Sequence, residues 1–241
     1  MVSLQIEGKA KVMRKNFSFI IRILLLGIIL MIFWLVSIVN LSKVSNLILI
    51  SGGVVLTYPL VWIGRKIIDR HRTKTEAEWV TTFLHFGLGF TFGVPIIRAI
   101  ITHKDWTGWV IPVPGVIGLT LTIITGSVFI MTVANLAIKG SGAPFFIALS
   151  RKLTTGWMYS RTRNPMVLAG LALLFSLGIW FQSSLFILWV LLFFTPALLF
   201  FIKVFEEREL EFRFGKSYLE YRASTPMLFP GKSEKKDKTI R

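Results

Sequence analysis

The chain has 241 residues, 54% of them hydrophobic, with a formal net charge of +16 and no cysteine. Several uninterrupted apolar runs reach the length needed to cross a hydrocarbon core of about 30 Å, which excludes a water-soluble globular domain and predicts an all-α integral membrane protein. The missing cysteine excludes disulfides, thiolate nucleophiles and zinc–thiolate sites.

Residues 1–16 form a basic arm suited to anionic lipid. A first span is predicted over 17–39, with no cleavage pattern after it, so that it stays as an anchor; Arg22 near its start snorkels to the surface. A second span covers 47–63 with Pro59 inside it as a kink site. A polar loop, 64–78, leads to a third span, 80–101, which holds His85, small residues that permit close packing, and Arg98, read as snorkelling at the far end. Trp106 and Trp109 suit an aromatic belt before a fourth span at 116–138.

The run 139–144 breaks the helix, and a basic loop follows to residue 170. In it Asn164 has the character of an N-cap and Pro165 that of a first helical residue. A helix starting there presents unpaired N–H groups and a positive dipole end beside Arg161 and Arg163, which is an anion-binding arrangement. The apolar stretch 166–201, interrupted by Gln182, Ser183 and Ser184, reads as a helical hairpin with two short arms. About six membrane segments result, the last two being that hairpin.

Glu206 and Glu207 stand where the hairpin leaves the membrane, competing for Lys203, whereas Glu209 has Arg213 one turn on. Gly215 ends that helix, and Tyr218 and Tyr221 suit a short amphipathic segment that Pro226 and Pro230 stop. Residues 232–241 are a charged, disordered end.

Lysine and arginine gather in the blocks 9–15, 65–74, 139–163 and 203–241, while the alternate loops hold only Lys43 and Lys104. That alternation is the positive-inside pattern, placing both termini and the 151–170 loop in the cytoplasm and removing any need for nucleic acid. The same rule accounts for Arg161 and Arg163 without a site. His71, His85 and His103 are scattered and predict no metal centre.

Because hairpin ends lie together, the arginine-rich entry and the Glu206/Glu207 exit converge on one surface. A zwitterion with a carboxylate, an ammonium and an aromatic ring suits Arg163, the two glutamates, and Tyr159 or Trp157; S-adenosyl-L-methionine has all three.

The segments TTGWMYSRTRNPMVLAG and EERELEFRFGKSYLEYRASTPMLFP resemble the isoprenylcysteine carboxyl methyltransferase and phospholipid methyltransferase superfamily. GSGAPF is similar to the small-residue run that precedes the first motif in bacterial relatives. The resemblance covers 139–231 and implies methyl transfer from S-adenosyl-L-methionine to a lipid-borne or small hydrophobic acceptor, in a prokaryotic cell membrane. It implies a cofactor pocket of Tyr159, Arg163, Asn164, Pro165, Met166, Val167, Glu206 and Glu207, with Arg163, Glu206 and Glu207 as the catalytic set. Val167 stands where relatives carry tyrosine, the turn from Gly156 to Tyr159 is one residue longer than theirs, and their substrate-carboxylate arginine corresponds to Ile202 beside Lys203. The division expected is four membrane helices (1–138), a methyltransferase core (139–231) and a tail (232–241). The partners expected are membrane lipids and the acceptor. Two alternatives have their own signatures: an NADPH-dependent sterol-reductase-like enzyme carries a KYGxxW-type tail where this chain has FGKSY, and a transporter shows inverted repeats, which are not apparent.

Overall fold

The computed structural model describes residues 2–70, 73–106, 108–140 and 152–230, without the side chains of 2–16, 74–75 and 106. The GSGAPF run beyond Gly140, His71, Arg151 and the end at 232–241 lie outside the described residues. Among those described, all regular structure is helical apart from one isolated bridge, Val110 to Ser183.

The helices are α1 (Val2–Ile38), α2 (Lys43–Val55), α3 (Thr57–Arg70), α4 (Lys74–Leu88), α5 (Val94–Ile101), α6 (Gly115–Lys139), α7 (Pro165–Trp180), α8 (Ser184–Trp189), α9 (Thr195–Phe201), α10 (Glu207–Phe214) and α11 (Lys216–Ser224). Five stretches are long and apolar enough to cross a membrane: Phe17–Ile38, Lys43–Arg70, Glu76–Ile101, Gly115–Lys139 and Ser184–Phe214. A shorter apolar helix, α7, has 16 residues and rises about 24 Å at the α-helical 1.5 Å per residue. Phe17, Trp34, Ile48, Ile63, Ile130 and Leu192 stand exposed on the outside of the bundle, an apolar surface that lipid covers.

Several boundaries differ from the sequence reading. Helix α3 continues past Ile63 to Arg70, and α4 begins at Lys74, so helix takes up most of the stretch read as a polar loop. Polar residues begin α4 ahead of its apolar window because Thr73 caps it, its hydroxyl accepting from the Glu76 N–H. Pro59 removes one N–H from the second pass, which breaks at Leu56 between α2 and α3. Only the first arm of the C-terminal hairpin is short; the second continues from Ser184 to Phe214.

Two core clusters hold the bundle. One joins Ile50, Leu171, Leu174, Trp189, Val190 and Phe194; the other joins Val61, Leu84, Leu88, Phe201, Ile202 and Phe205. Val167 in the first turn of α7 packs against both. Helices α6 and α7 run antiparallel and close, since a Cβ at Gly118 would collide with the Trp180 backbone. At the end of the bundle where α1 finishes, Arg98 is 3% exposed rather than snorkelling. It donates from Nη1 to the carbonyls of Val36 (2.8 Å) and Val39 (2.9 Å), and from Nε (2.8 Å) and Nη2 to Asn46 Oδ1. The carbonyls at the end of α1 have no partner in their own helix, so a buried guanidinium is more stable there than one drawn out to the interface. His103 stacks on Phe181 with 4.0 Å between ring centroids.

Candidate functional site

The opposite end of the bundle gathers the loop before α7, the exit of the last long pass, and α11. The loop is tied to the tail by backbone and side-chain bonds. Arg163 N–H donates to Pro226 O (2.9 Å), Thr162 Oγ1 to Met227 O (3.1 Å) and Asn164 Nδ2 to Met227 O (2.9 Å). Tyr221 Oη donates to Tyr159 O at 2.6 Å. Asn164 does precede α7 and Pro165 is its first residue, but the asparagine side chain makes no capping bond, being committed to the tail. The first-turn N–H groups of α7 therefore keep no side-chain cap from Asn164.

Upstream, Trp157 takes a positive φ of 57° and opens a 3₁₀ turn, Trp157–Ser160. A left-handed tryptophan is a strained choice held by its surroundings. It lies in the turn that is one residue longer than in the related motifs.

The second long arm contributes the acids. Its helix contains two π-helical turns, Val190–Phe194 and Ile202–Glu206; in the latter Glu207 N–H reaches back five residues to Ile202 O. Such a turn leaves a carbonyl to be satisfied from outside, and Arg65 Nη1 of α3 donates to Val204 O at 2.8 Å. Arg65 and Arg208 are both anchored by Asp69, at 2.6 and 2.9 Å. The π-turn was not legible in the sequence, because nothing in IKVFE departs from ordinary helix formers.

Arg163 Nη2 lies 2.8 Å from Glu207 Oε1, with side chains only 11% and 17% exposed. Glu207 thus pairs across to the loop and not with Lys203, which is exposed. The contact is close but off the direction of a hydrogen bond. Arg163 Nε, Arg163 Nη1 and Glu207 Oε1 are all buried without a hydrogen-bond partner among the described residues. Glu206 has no hydrogen bond or ion pair there either. Buried polar groups are nearly always satisfied, and the exceptions concentrate where a ligand completes them.

Tyrosines close the site from the tail side. Burial raises the Tyr159 hydroxyl above the usual phenol range, and the neighbouring Glu206 charge adds to the shift. Burial likewise raises Tyr218, next to the Glu207 charge, and Tyr221. These tyrosines stay neutral donors at any physiological pH. Glu209 takes its expected partner, Arg213, at 2.8 Å, inside the protein and apart from the open pair.

Of the residues singled out by sequence, Tyr159, Arg163, Glu206 and Glu207 come together here. Pro165, Met166 and Val167 follow as the first turn of α7, and Asn164 serves the loop–tail junction. His85 is a structural partner: its Nδ1 lies 2.8 Å from Thr81 O and its ring meets Phe201 edge-on. A groove of about 360 Å³ between α3 and α4 is lined by Leu60, Ile63, Glu76, Val80 and Phe83 and by none of these site residues.

No curated protein and no solved structure matches the chain. The family described as phospholipid methyltransferase matches residues 113–217, which run from the start of α6 through the loop, both hairpin arms and Arg163, Glu206 and Glu207. This stretch of the chain is thus similar to the phospholipid methyltransferase family, in the superfamily that its loop and tail motifs resemble.

Proposed function

We propose that the protein is an integral membrane methyltransferase that takes its methyl group from S-adenosyl-L-methionine and passes it to a lipid-borne acceptor. The observation that carries this reading is the Arg163–Glu207 pair, drawn to 2.8 Å inside the protein yet short of hydrogen bonds on both partners.

The residues fit that cofactor. Arg163 has two N–H edges for a carboxylate; Glu207 and Glu206 offer oxygens to an ammonium; Tyr159 and Trp157 offer rings. Bound there, S-adenosyl-L-methionine supplies a methyl group on an already activated sulfonium. The work left to the chain is positioning and exclusion of water, and a well-oriented pair of reactants gains several kcal/mol from that alone, with a ceiling near 10 kcal/mol. The loop–tail bonds of Thr162, Arg163, Asn164 and Tyr221 fix one wall. The core under Val167 fixes the floor.

The acceptor is better read as an amine of a lipid headgroup than as a prenylcysteine carboxylate. Ile202, at the position of the related enzymes' carboxylate-binding arginine, is 1% exposed in the core, and Lys203 faces outward. No described cation other than the paired Arg163 meets the acids at this site. An amine must lose a proton as its new bond to carbon forms, and the unengaged Glu206 carboxylate can hold it. The cytoplasmic placement of both termini and of this site follows the positive-inside pattern.

Calorimetric binding of S-adenosylhomocysteine to detergent-purified protein tests the class. Micromolar binding that is lost in folded Arg163→Ala and Glu206→Ala/Glu207→Ala variants supports it. Absence of binding by folded wild type, above all with NADPH binding in its place, sinks it. Transfer of labelled methyl into phosphatidylethanolamine vesicles, compared with a prenylcysteine acceptor, then separates amine from carboxylate.

A further inference from the structure

Helix α6 carries a buried amide that the loop and tail motifs do not include. Asn135 is 7% exposed, and its Nδ2 has no hydrogen-bond partner among the described residues. In a membrane helix an unsatisfied amide is costly, because no water reaches it. One turn earlier Thr132 is fully buried too, but its hydroxyl bonds Phe129 O in its own helix at 2.7 Å. Asn135 is therefore not one of a series of routinely satisfied polar positions.

Its place in the fold follows from the α6–α7 register. Gly118 lies against Trp180, Thr125 Oγ1 against Ser176 Oγ at 3.1 Å, and Phe129 against Gly170. Six residues on from Phe129 is Asn135, and six residues back from Gly170 is Asn164. Asn135 thus stands level with the first turn of α7, next to Arg163 in sequence register. The returning loop closes on the same spot: Lys152 N–H donates to Gly140 O (3.3 Å) at the end of α6. Two residues further on Thr154, 9% exposed, also has a hydroxyl without a partner among the described residues.

The unspent donors at this level are Asn135 Nδ2, Arg163 Nε and Arg163 Nη1, with the Thr154 hydroxyl able to join them and Glu207 Oε1 as the unspent acceptor opposite. Their complement is a group of anionic oxygens. Because Glu207 already balances the Arg163 charge, a single carboxylate whose own ammonium turns to the acids suits the site better than a free phosphate. We infer that Asn135 is a cofactor-binding residue that donates to the carboxylate of the S-adenosyl-L-methionine amino-acid portion alongside Arg163. The inference rests on the methyltransferase reading above.

The test compares two probes by calorimetry. One is S-adenosylhomocysteine; the other is 5′-methylthioadenosine, which keeps the adenosine and thioether but lacks the amino-acid portion. Asn135→Asp keeps the shape and turns a donor into an acceptor. The expected result is a loss of at least about tenfold in S-adenosylhomocysteine affinity, one charge-assisted hydrogen bond's worth, with 5′-methylthioadenosine affinity unchanged. Asn135→Ala gives the same sign with a smaller loss and serves if the aspartate variant does not fold. Thr132→Val, one turn away with a satisfied hydroxyl, leaves both affinities unchanged. Undiminished S-adenosylhomocysteine binding in folded Asn135 variants, or equal losses for both probes, overturns the assignment while leaving the methyltransferase intact. Failure of wild type to bind S-adenosylhomocysteine at all overturns the proposed function first.

Discussion

Two buried arginines, at opposite ends of the bundle, are built for different ends. Arg98 sits 3% exposed with its guanidinium spent on two terminal carbonyls of α1 and the amide oxygen of Asn46. Arg163 is nearly as buried, yet it touches one carboxylate at a poor angle and leaves Nε and Nη1 unused. A guanidinium has five N–H donors in a fixed fork, so saturation measures purpose. Arg98 closes three helix ends into one unit; Arg163 keeps two donors unspent, which the proposed cofactor would use.

The comparison breaks if both arginines behave alike on truncation. Arg98→Ala leaves the carbonyls of Val36 and Val39 and the Asn46 oxygen without their donor. It is expected to lower stability by about 3 kcal/mol, since several buried acceptors lose their donor at about 1–3 kcal/mol each, and to show as the largest drop in melting temperature among these variants. Cofactor affinity of whatever fraction remains folded should be near wild type. Arg163→Ala is expected to do the reverse, costing about 2–3 kcal/mol of S-adenosylhomocysteine binding, or roughly a hundredfold, with a smaller change in melting. Arg163→Lys sharpens the contrast: a lysine keeps the charge beside Glu207 but lacks the planar fork, so affinity should stay well below wild type. Thermal melts read beside calorimetric titrations decide both.

The same contrast shows what the sequence could carry. Spans, the hairpin turn and the helix start at Pro165 were legible because apolar length and turn chemistry are local. Arg163, Glu206 and Glu207 were legible through motif spacing, and the hairpin alone argues that they meet. What escaped was non-local. The saturation of Arg98 depends on Val36 and Asn46, more than fifty residues away. Asn164 has the composition of a cap, but its amide is used by Met227 across the fold. The π-turn at Ile202–Glu206 is set by Arg65 of α3 reaching Val204 O, and Asn135 looks like any polar residue near a membrane helix end until the register places it.

Arg65 extends the comparison to a residue that acts through another. It bonds Val204 O and Asp69, and nothing in the reaction touches it. Arg65→Met removes the donor that satisfies the π-turn carrying Glu206. The expected loss is about 1–2 kcal/mol, one hydrogen bond from a charged donor, appearing as a several-fold weaker cofactor affinity. If the role were only structural, melting would fall and the affinity of the folded protein would not. Circular dichroism and calorimetry on one preparation separate the two.

The smallest effect concerns the loop–tail junction. Tyr221 Oη donates to Tyr159 O at 2.6 Å, and Tyr221→Phe removes that bond for about 1 kcal/mol, felt mostly as a looser loop around Arg163. The same hydroxyl gives a pH signature. Burial raises the folded-state values of Tyr159, Tyr218 and Tyr221 above that of a free phenol, which is about 10. With a raised folded value the unfolded chain releases its proton first, so the contribution is complete below about pH 10 and declines as pH rises beyond it. Melting temperature should therefore be flat through neutrality and fall on the alkaline side, less steeply in Tyr221→Phe than in wild type. The Arg98 end has no tyrosine among its bonds, so an alkaline loss of cofactor binding that precedes global melting locates the weak point at the loop and tail, and simultaneous loss of both would assign it to the whole bundle.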